Sequence, residues 1–379
     1  MHKEILIDNS EEKALIKQIG ARQDIKAERL KRVMSLPDLS RTEGSPLKAI
    51  IDKVFAIPDF ADFDNVIIPE IIPTDILFDL FDFAKDHPAR SESDTYYVDE
   101  KNVLRTHDTV FWYYYLHNPE IQERITARKS FGAFCHGKVY RKDEIDRTHM
   151  NVFHQFGGWY LTPDSEKMLT IEDLKSALST IVKGIFGENV KFRFNPDVFP
   201  YTDPSLEVEI DVNGKWLELL GGGMPKKLVL KNFGIEGYNG WAFGFGLERL
   251  AIAKMEIPDI RLFWSQDSRV KEQLKNLENK YKEVSKYPAV ERDISFVIDK
   301  NISLNNYYEL VQDVAEGLIE EVKLMDSYEN DEKFGIGKKS YTFHIVYRSL
   351  EKTLTNEEVN VIHDKIVEKT KQELNAIVR

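Results

Sequence analysis

The sequence predicts an α+β protein: an antiparallel sheet with flanking helices, then a smaller βαββα unit. Three observations carry this. From Asp59 to about Phe263, short apolar segments alternate with glycine-rich turns. A charged, proline-closed stretch, VKEQLKNLENKYKEVSKYP, interrupts that block near 267–287. Beyond it, strand and helix periods follow one another in the order β, α, β, β, α.

The 379 residues allow two or three domains at about 100 to 200 residues each. Hydrophobic content of 42%, aromatic content of 11% and 31% charge exclude disordered, collagen-like and mucin-like classes. A lone cysteine, Cys135, excludes a disulfide framework and a zinc site built on cysteine pairs, and suits a reducing compartment. The N-terminal MHKEILIDNSEEKALI has no apolar core before its acidic residues, and no run of about 18 apolar residues occurs. A soluble cytoplasmic protein with no membrane contact is expected, or an organellar matrix protein if a transit segment was removed. The net charge of −12 disfavours indiscriminate nucleic-acid binding, leaving room only for a local basic face.

Four segments follow: an N-terminal helical extension (1–45), a main domain (46–266), a linker (267–287) and a C-terminal domain (288–379). In residues 10 to 34, Leu15, Ile16, Ile19, Ile25 and Leu30 recur at a loose helical period, as in a solvated helix. SLPDLSRTEGSP, rich in breakers, ends it and is expected to be a hinge. Pro46 opens a helix burying Leu47, Ile50, Ile51, Val54 and Phe55, a position where a first-turn proline is tolerated. The charged linker is expected to be helical. In the C-terminal unit, RDISFVI alternates as a strand, LNNYYELVQDVAEGLIEE is an amphipathic helix, and two strands join through FGIGKK. The last helix opens with a capping box, Thr355 and Glu358, before a short strand near 376–379. This order is the ferredoxin-like arrangement.

The densest chemical signal is GKVYRKDEIDRTHMNVFHQFGG, Gly137 to Gly158. Two strands joined by a loop place Arg141 and Phe153 on one face, a fork for phosphate oxygens beside a ring for stacking on a purine. An exposed charged hairpin with a core phenylalanine is the bland reading. Further on, GWAFGFGLERLAIAKM has glycines that admit close backbone approach and then a helix bearing Glu248 and Arg249. An arginine buried in so apolar a helix must pair, with Glu248 or Asp259, or meet a ligand's charge.

These two segments resemble motifs two and three of the class II aminoacyl-tRNA synthetases, specifically the phenylalanyl-tRNA synthetases. DHPARSESDTYYV with LRTH at 86–107, FPYTDPSLEVEI at 199–210 and WLELLGGGM at 216–224 agree, and the tail from YPAVERDISFVI through TLTNEEV is similar to that family's ferredoxin-fold anticodon-binding domain. The single-chain, organellar-type architecture fits best. The resemblance implies ATP-dependent activation of phenylalanine to the adenylate and transfer to tRNA(Phe), with ATP and Mg2+ required and a monomer expected. It implies that Arg141 braces the α-phosphate, Arg249 the γ-phosphate, Phe153 the adenine, and that Glu218 holds magnesium. It places His107, Thr109, Asp143, Gln155 and Ala242 at the amino-acid side and sets Phe199 and Tyr201 edge-on to the substrate ring, where core packing is the plain alternative.

Four positions depart from the family's pattern: Gly157 in place of a glutamate, Gly222 in place of a cysteine, Thr109 (after Asp108) in place of a serine, and Tyr201 in place of phenylalanine. All lie near the amino-acid pocket. Asp108 or Asp143 could replace the missing carboxylate as partner of the substrate ammonium. Lys338, Lys339 and Arg348, with Lys352, could form a tRNA-binding face, or merely a solvated hairpin. A paralogue activating another aromatic amino acid and a non-catalytic tRNA-binding regulator are the competing functions; retention of both Arg141 and Arg249 argues against the last.

Overall fold

The computed structural model describes residues 2–144, 146–212, 214–284 and 287–379. Its strands, in chain order, are β1 (Glu4–Leu6), β2 (Asp64–Ile67), β3 (Ile71–Pro73), β4 (Asn102–Leu104), β5 (Phe131–Tyr140), β6 (Val152–Pro163), β7 (Phe192–Phe199), β8 (Thr202–Val212), β9 (Lys215–Pro225), β10 (Tyr238–Gly246), β11 (Val290–Asp299), β12 (Ile319–Glu329), β13 (Lys338–Tyr347) and β14 (Ile377–Val378). One eight-stranded sheet runs β1-β2-β5-β6-β10-β9-β8-β7. It is antiparallel from β5 to β7, as expected. At the other edge β1–β2 and β2–β5 are parallel, which alternation of apolar residues cannot reveal.

The central strands are covered on both faces. Phe134 and Phe156 meet Leu47, Ile50 and Val54 of the helix Pro46–Phe55 and Leu178 and Ile181 of the helix Ile171–Phe186. Ala133, Cys135 and Trp159 meet Trp112 and Tyr115 of the helix Phe111–Leu116, with Trp112 stacked on Trp159 at 4.9 Å. Alternation along β5 thus sends successive side chains to two separate cores. Pro46 does begin its helix, and Ser45 caps it by accepting from the Leu47 N–H at 3.2 Å.

The N-terminal segment differs from a solvated helix. Its two helices, Ser10–Ala21 and Ile25–Ser35, bury Ile19, Ala27, Leu30 and Val33, and β1 extends the large sheet. The breaker-rich stretch after them is a strap rather than a hinge. The Leu39 N–H donates to His154 Nε2 at 2.9 Å, Ser40 Oγ meets His136 Nδ1 at 2.9 Å, and Arg41 donates to the His136 carbonyl. Its prolines and glycine end the preceding helix, but its polar atoms are consumed by buried histidines of the sheet. The linker is helical only over Ser268–Leu274; Leu277 is then buried, and Glu278 pairs with Lys53 and Lys254. Ser285 and Lys286 of the expected linker lie outside the described residues.

The C-terminal domain is a four-stranded sheet, β12-β13-β11-β14, with helices Asn305–Ala315 and Asn356–Glu373 packed on it, the ferredoxin-like order. Thr355 and Glu358 form the reciprocal capping box, and β14 pairs with β11. This domain is docked on the larger one. Glu309, buried, accepts from Arg32 (2.8 Å), Tyr96 (2.6 Å) and Asn151 (2.9 Å). No helix among the described residues is long and apolar enough to cross a membrane.

Candidate active site

Beyond the end of β5 the chain still pairs with its neighbour, the Arg141 N–H donating to the Asn151 carbonyl at 3.0 Å. The register sets Val139 against Phe153, and the Arg141 guanidinium lies over the Phe153 ring, 5.2 Å from its centroid. Arg141 Nε donates to the Thr106 carbonyl at 2.8 Å, so the arginine is aimed from both sides. Arginine and ring therefore share one face.

Between Phe153 and Gln155 stands His154, fully buried. Its Nε2 must accept from the Leu39 N–H, so the ring proton sits on Nδ1, which donates to Glu248 Oε1 at 2.6 Å. Glu248 also accepts from the His154 backbone N–H at 2.9 and 3.0 Å. Neither expected partner pairs with Arg249: Glu248 belongs to His154, and Asp259 binds Arg261 at 2.6 Å. Nor is Arg249 buried. Its side chain is 46% exposed, within 3.3 Å of a Glu218 carboxylate that is 52% exposed. A pair so exposed contributes less than about 1 kcal/mol, and an incoming anion can take Arg249 from it.

A cavity of about 630 Å³ brings together His107, Thr109, Arg141, Asp143, Phe153, Gln155, Phe199, Tyr201, Glu218, Ala242 and Arg249. At one end are Arg141, Phe153, Glu218 and Arg249. At the other an aromatic box surrounds Tyr201: Phe81 and Trp112 meet it edge-on at 5.8 Å, with Phe199 and His107 stacked nearly parallel to it at 6.2 Å. Glycines shape its wall. A Cβ on Gly221 would fall 2.7 Å from the Phe199 ring, and one on Gly222 would fall 2.7 Å from the Ala242 carbonyl, which accounts for the bare backbone at 222.

Burial, and then the charge of Arg141, pull the His107 imidazole down to about 3, so it is neutral at physiological pH. Burial pushes the Asp108 carboxyl up to about 7. Gln155 Oε1 accepts from the Asp108 N–H at 3.0 Å, which turns its amide NH2 elsewhere. Asp143 is half-buried, and its Oδ1 accepts from the Glu144 N–H. No group of three or more His, Cys, Asp or Glu among the described residues is placed to hold a metal ion.

Lys338, Lys339 and Arg348 do not come together. The two lysines begin β13 and the arginine follows its end, about 30 Å away at strand rise. Lys339 pairs with Glu329 at 3.3 Å, and Arg348 binds the Tyr287 carbonyl of the linker and Glu320, which also holds Arg147 of the main domain. The sequence reading missed the bond from Leu39 to His154, the His154–Glu248 pair and Glu309. Each joins residues remote along the chain, with no local signal.

A model of the class II core domain of tRNA synthetases, F type, matches residues 34–274, and one of the ferredoxin-fold anticodon binding domain matches 285–379. The chain belongs to the phenylalanine-tRNA ligase branch of the class II tRNA synthetases. It is 40% identical to the chloroplastic/mitochondrial phenylalanine-tRNA ligase of Arabidopsis thaliana over 328 residues, covering 84% of this chain and 70% of that protein. It is 34% identical to the mitochondrial phenylalanine-tRNA ligase of Mus musculus, covering 82% and 74%. A third relative, the phenylalanine-tRNA ligase alpha subunit of Caldicellulosiruptor bescii, is 39% identical but covers 52% of this chain and 59% of the subunit. The single-chain relatives thus match both domains where the subunit spans about half the chain.

Proposed function

We propose that this chain activates phenylalanine with ATP and transfers it to tRNA(Phe). The observation that carries the reading is the single cavity in which the Arg141–Phe153 stack and the exposed Arg249 stand beside an aromatic box. The substrate carboxylate attacks the α-phosphorus, pyrophosphate leaves, and a terminal ribose hydroxyl of the tRNA then takes the acyl group. No residue need act as nucleophile; positioning and fixed positive charge suffice. Arg141 braces the α-phosphate and Arg249 leaves Glu218 for the γ-phosphate. Phe153, already holding a guanidinium on one face, offers the other to adenine. The Glu218 carboxylate fits magnesium, which takes one or two carboxylates together with substrate phosphates and would neutralise charge developing on the leaving pyrophosphate. The C-terminal domain grips the tRNA away from its acceptor end, with Lys338 and Lys339 as phosphate contacts and Arg348 as a docking residue. We take the chain to act as a monomer, and a reducing compartment, cytoplasm or organellar matrix, accords with Cys135 being free and buried.

Pyrophosphate exchange across all twenty amino acids tests this. Phenylalanine should support the fastest exchange; exchange with only another aromatic amino acid would favour the paralogue reading, drawn from the Tyr201 hydroxyl and bare Gly157. No exchange with any would remove the enzyme reading.

A further inference from the structure

Asp108 opens the short 3₁₀ turn Asp108–Val110, between β4 and the helix that carries Trp112. It lines the cavity yet is only 2% exposed. Its backbone is tied to β6 by the bond to Gln155, but its Oδ2 has no hydrogen-bond partner among the described residues. Nor, among these, does any cation reach ion-pair distance. A buried carboxylate oxygen left in this condition costs free energy that the empty protein does not recover, and such costs are tolerated where a ligand offsets them.

The surroundings define that ligand. Asp108 stands over Gly157 of β6 and Gly244 of β10, which pair with each other. A Cβ on Gly157 would fall 2.9 Å from Asp108 Cγ and 3.1 Å from Oδ1, so no side chain can stand at 157 while Asp108 is in place. One on Gly244 would meet Oδ1 at 3.8 Å, so that side of the carboxylate carries no side chain either. Charged and titratable groups acting on Asp108 from the neighbouring elements are Arg105, Arg141, Cys135 and Tyr201, with His107 preceding it. The two arginines draw the carboxyl toward its anion, whereas burial outweighs them and His107 stays neutral. A compact cation with several donors, arriving between Arg141 and the aromatic box, is the complement of this arrangement. Asp143 lacks the same standing, since it is less buried and one of its oxygens already accepts from the Glu144 N–H.

We propose that Asp108, seated over the bare backbone of Gly157, receives the α-ammonium of the amino-acid substrate on its unpartnered carboxylate oxygen. The assignment rests on the proposed reading that an aromatic amino acid occupies this cavity. It divides the substrate among three walls: ring to the Tyr201 box, ammonium to Asp108, carboxylate toward the phosphate end at Arg141.

Binding of two phenylalanine analogues tests it by calorimetry on the full chain: phenylalaninol, which keeps the ammonium and lacks the carboxylate, and 3-phenylpropanoate, which does the reverse. Asp108→Asn should weaken phenylalaninol about a hundredfold, the scale expected for removing one buried charge of a pair, and leave 3-phenylpropanoate and ATP within about threefold. Asp108→Thr combined with Gly157→Glu should recover at least tenfold of the phenylalaninol affinity lost by Asp108→Thr alone. Unchanged phenylalaninol binding in a folded Asp108→Asn protein that binds ATP normally overturns the proposal, as does failure to bind phenylalaninol by a wild type that exchanges pyrophosphate with phenylalanine. The reading beneath it fails separately: a wild type that exchanges pyrophosphate with a different amino acid, and whose Asp108→Asn variant loses the need for that substrate's ammonium, keeps Asp108 in its role while replacing phenylalanine.

Discussion

His154 Nδ1 and Glu248 Oε1 lie 2.6 Å apart, both side chains almost wholly buried, and tie β6 to the helix that follows β10. The strand bearing Phe153 and Gln155 is thereby fixed to the helix bearing Arg249. Glu248→Ala strands the backbone N–H and the Nδ1–H of His154 in a dry interior, at a cost on the order of 2 to 4 kcal/mol. Urea denaturation should show a lower midpoint, and the KM for ATP should rise in the fraction that stays folded. An unchanged midpoint would mean that water or another group already serves His154.

Arg141→Ala and Arg249→Ala should each slow phenylalanine-dependent pyrophosphate exchange by about a hundredfold or more, since each removes a fixed charge worth on the order of 3 kcal/mol to the developing charge. Their stabilities should differ: Arg141→Ala gives up the bond to the Thr106 carbonyl and the contact with Phe153, about 1 to 2 kcal/mol, whereas Arg249→Ala gives up little. Arg249 is half exposed and its contact with Glu218 is a surface pair, so its removal should leave the melting temperature within about a degree. Near-normal exchange by either variant would move the phosphate site elsewhere.

What the sequence made legible was what repeats at short range. Period-two and helical patterns in the C-terminal domain, the Thr355 box and the Arg141–Phe153 face all follow from residues within a hairpin or a turn of one another. What it concealed was pairing across the fold. Nothing near Leu39 announces a buried histidine 115 positions on, and nothing near Glu309 announces Tyr96, Asn151 and Arg32. The expectation that Arg249 is buried failed for the same reason: helix Leu247–Met255 is apolar on the faces toward the core, but Arg249 points to the cavity mouth, and only the tertiary placement of Glu218 shows it.

The buried Asp108 should set a pH dependence on the empty protein. Its carboxyl is raised from 3.8 to about 7 in the fold, so the folded state holds a proton that the unfolded chain has released. The penalty is absent below pH about 4, grows as pH rises, and is complete above pH about 7, with about 4 kcal/mol as an upper bound. Asp108→Asn should therefore raise the melting temperature of ligand-free protein at pH 8 and change it little at pH 4.5. His107, held down to about 3, acts in the opposite direction: stability is lost as pH falls below its unfolded value near 6.5. A variant no more stable than the parent at pH 8 would show that the carboxylate is solvated or paired after all.

Glu309 makes the C-terminal domain part of the site's foundation. It holds Asn151, two residues before Phe153, while Asn305 of the same helix donates to Asp94 at 2.9 Å beside the cavity. Removing everything from Tyr287 onward thus uncovers Tyr96, Arg32 and Asn151, and should lower stability as well as tRNA charging. The point change Lys338→Glu with Lys339→Glu separates the two effects, because both lysines lie away from that interface. Aminoacylation should fall, with a shallower salt dependence of tRNA binding, while pyrophosphate exchange is retained. Equal aminoacylation by this variant would clear β13 of a role in tRNA contact.

Tyr201 is the residue on which substrate choice should turn. Its ring is held edge-on by Phe81 and Trp112 and flanked by Phe199, so its plane is fixed, and its hydroxyl lies beside Thr109 rather than in solvent. Two neighbouring hydroxyls at the wall of an apolar slot can serve a third brought by tyrosine or a meta-hydroxylated ring, which a wall of plain ring edges cannot. Tyr201→Phe keeps the box and removes one of them. The ratio of kcat/KM for phenylalanine over tyrosine should rise by about tenfold, within the 1 to 3 kcal/mol a single pocket contact commands. Tyr201→Ala should instead raise the KM for phenylalanine and leave that for ATP unchanged, because the box loses its central ring while the Arg141–Phe153 end is intact. A Tyr201→Phe variant with the parent's ratio would show that the hydroxyl is spent on Thr109 alone, and that discrimination rests on the ring contacts.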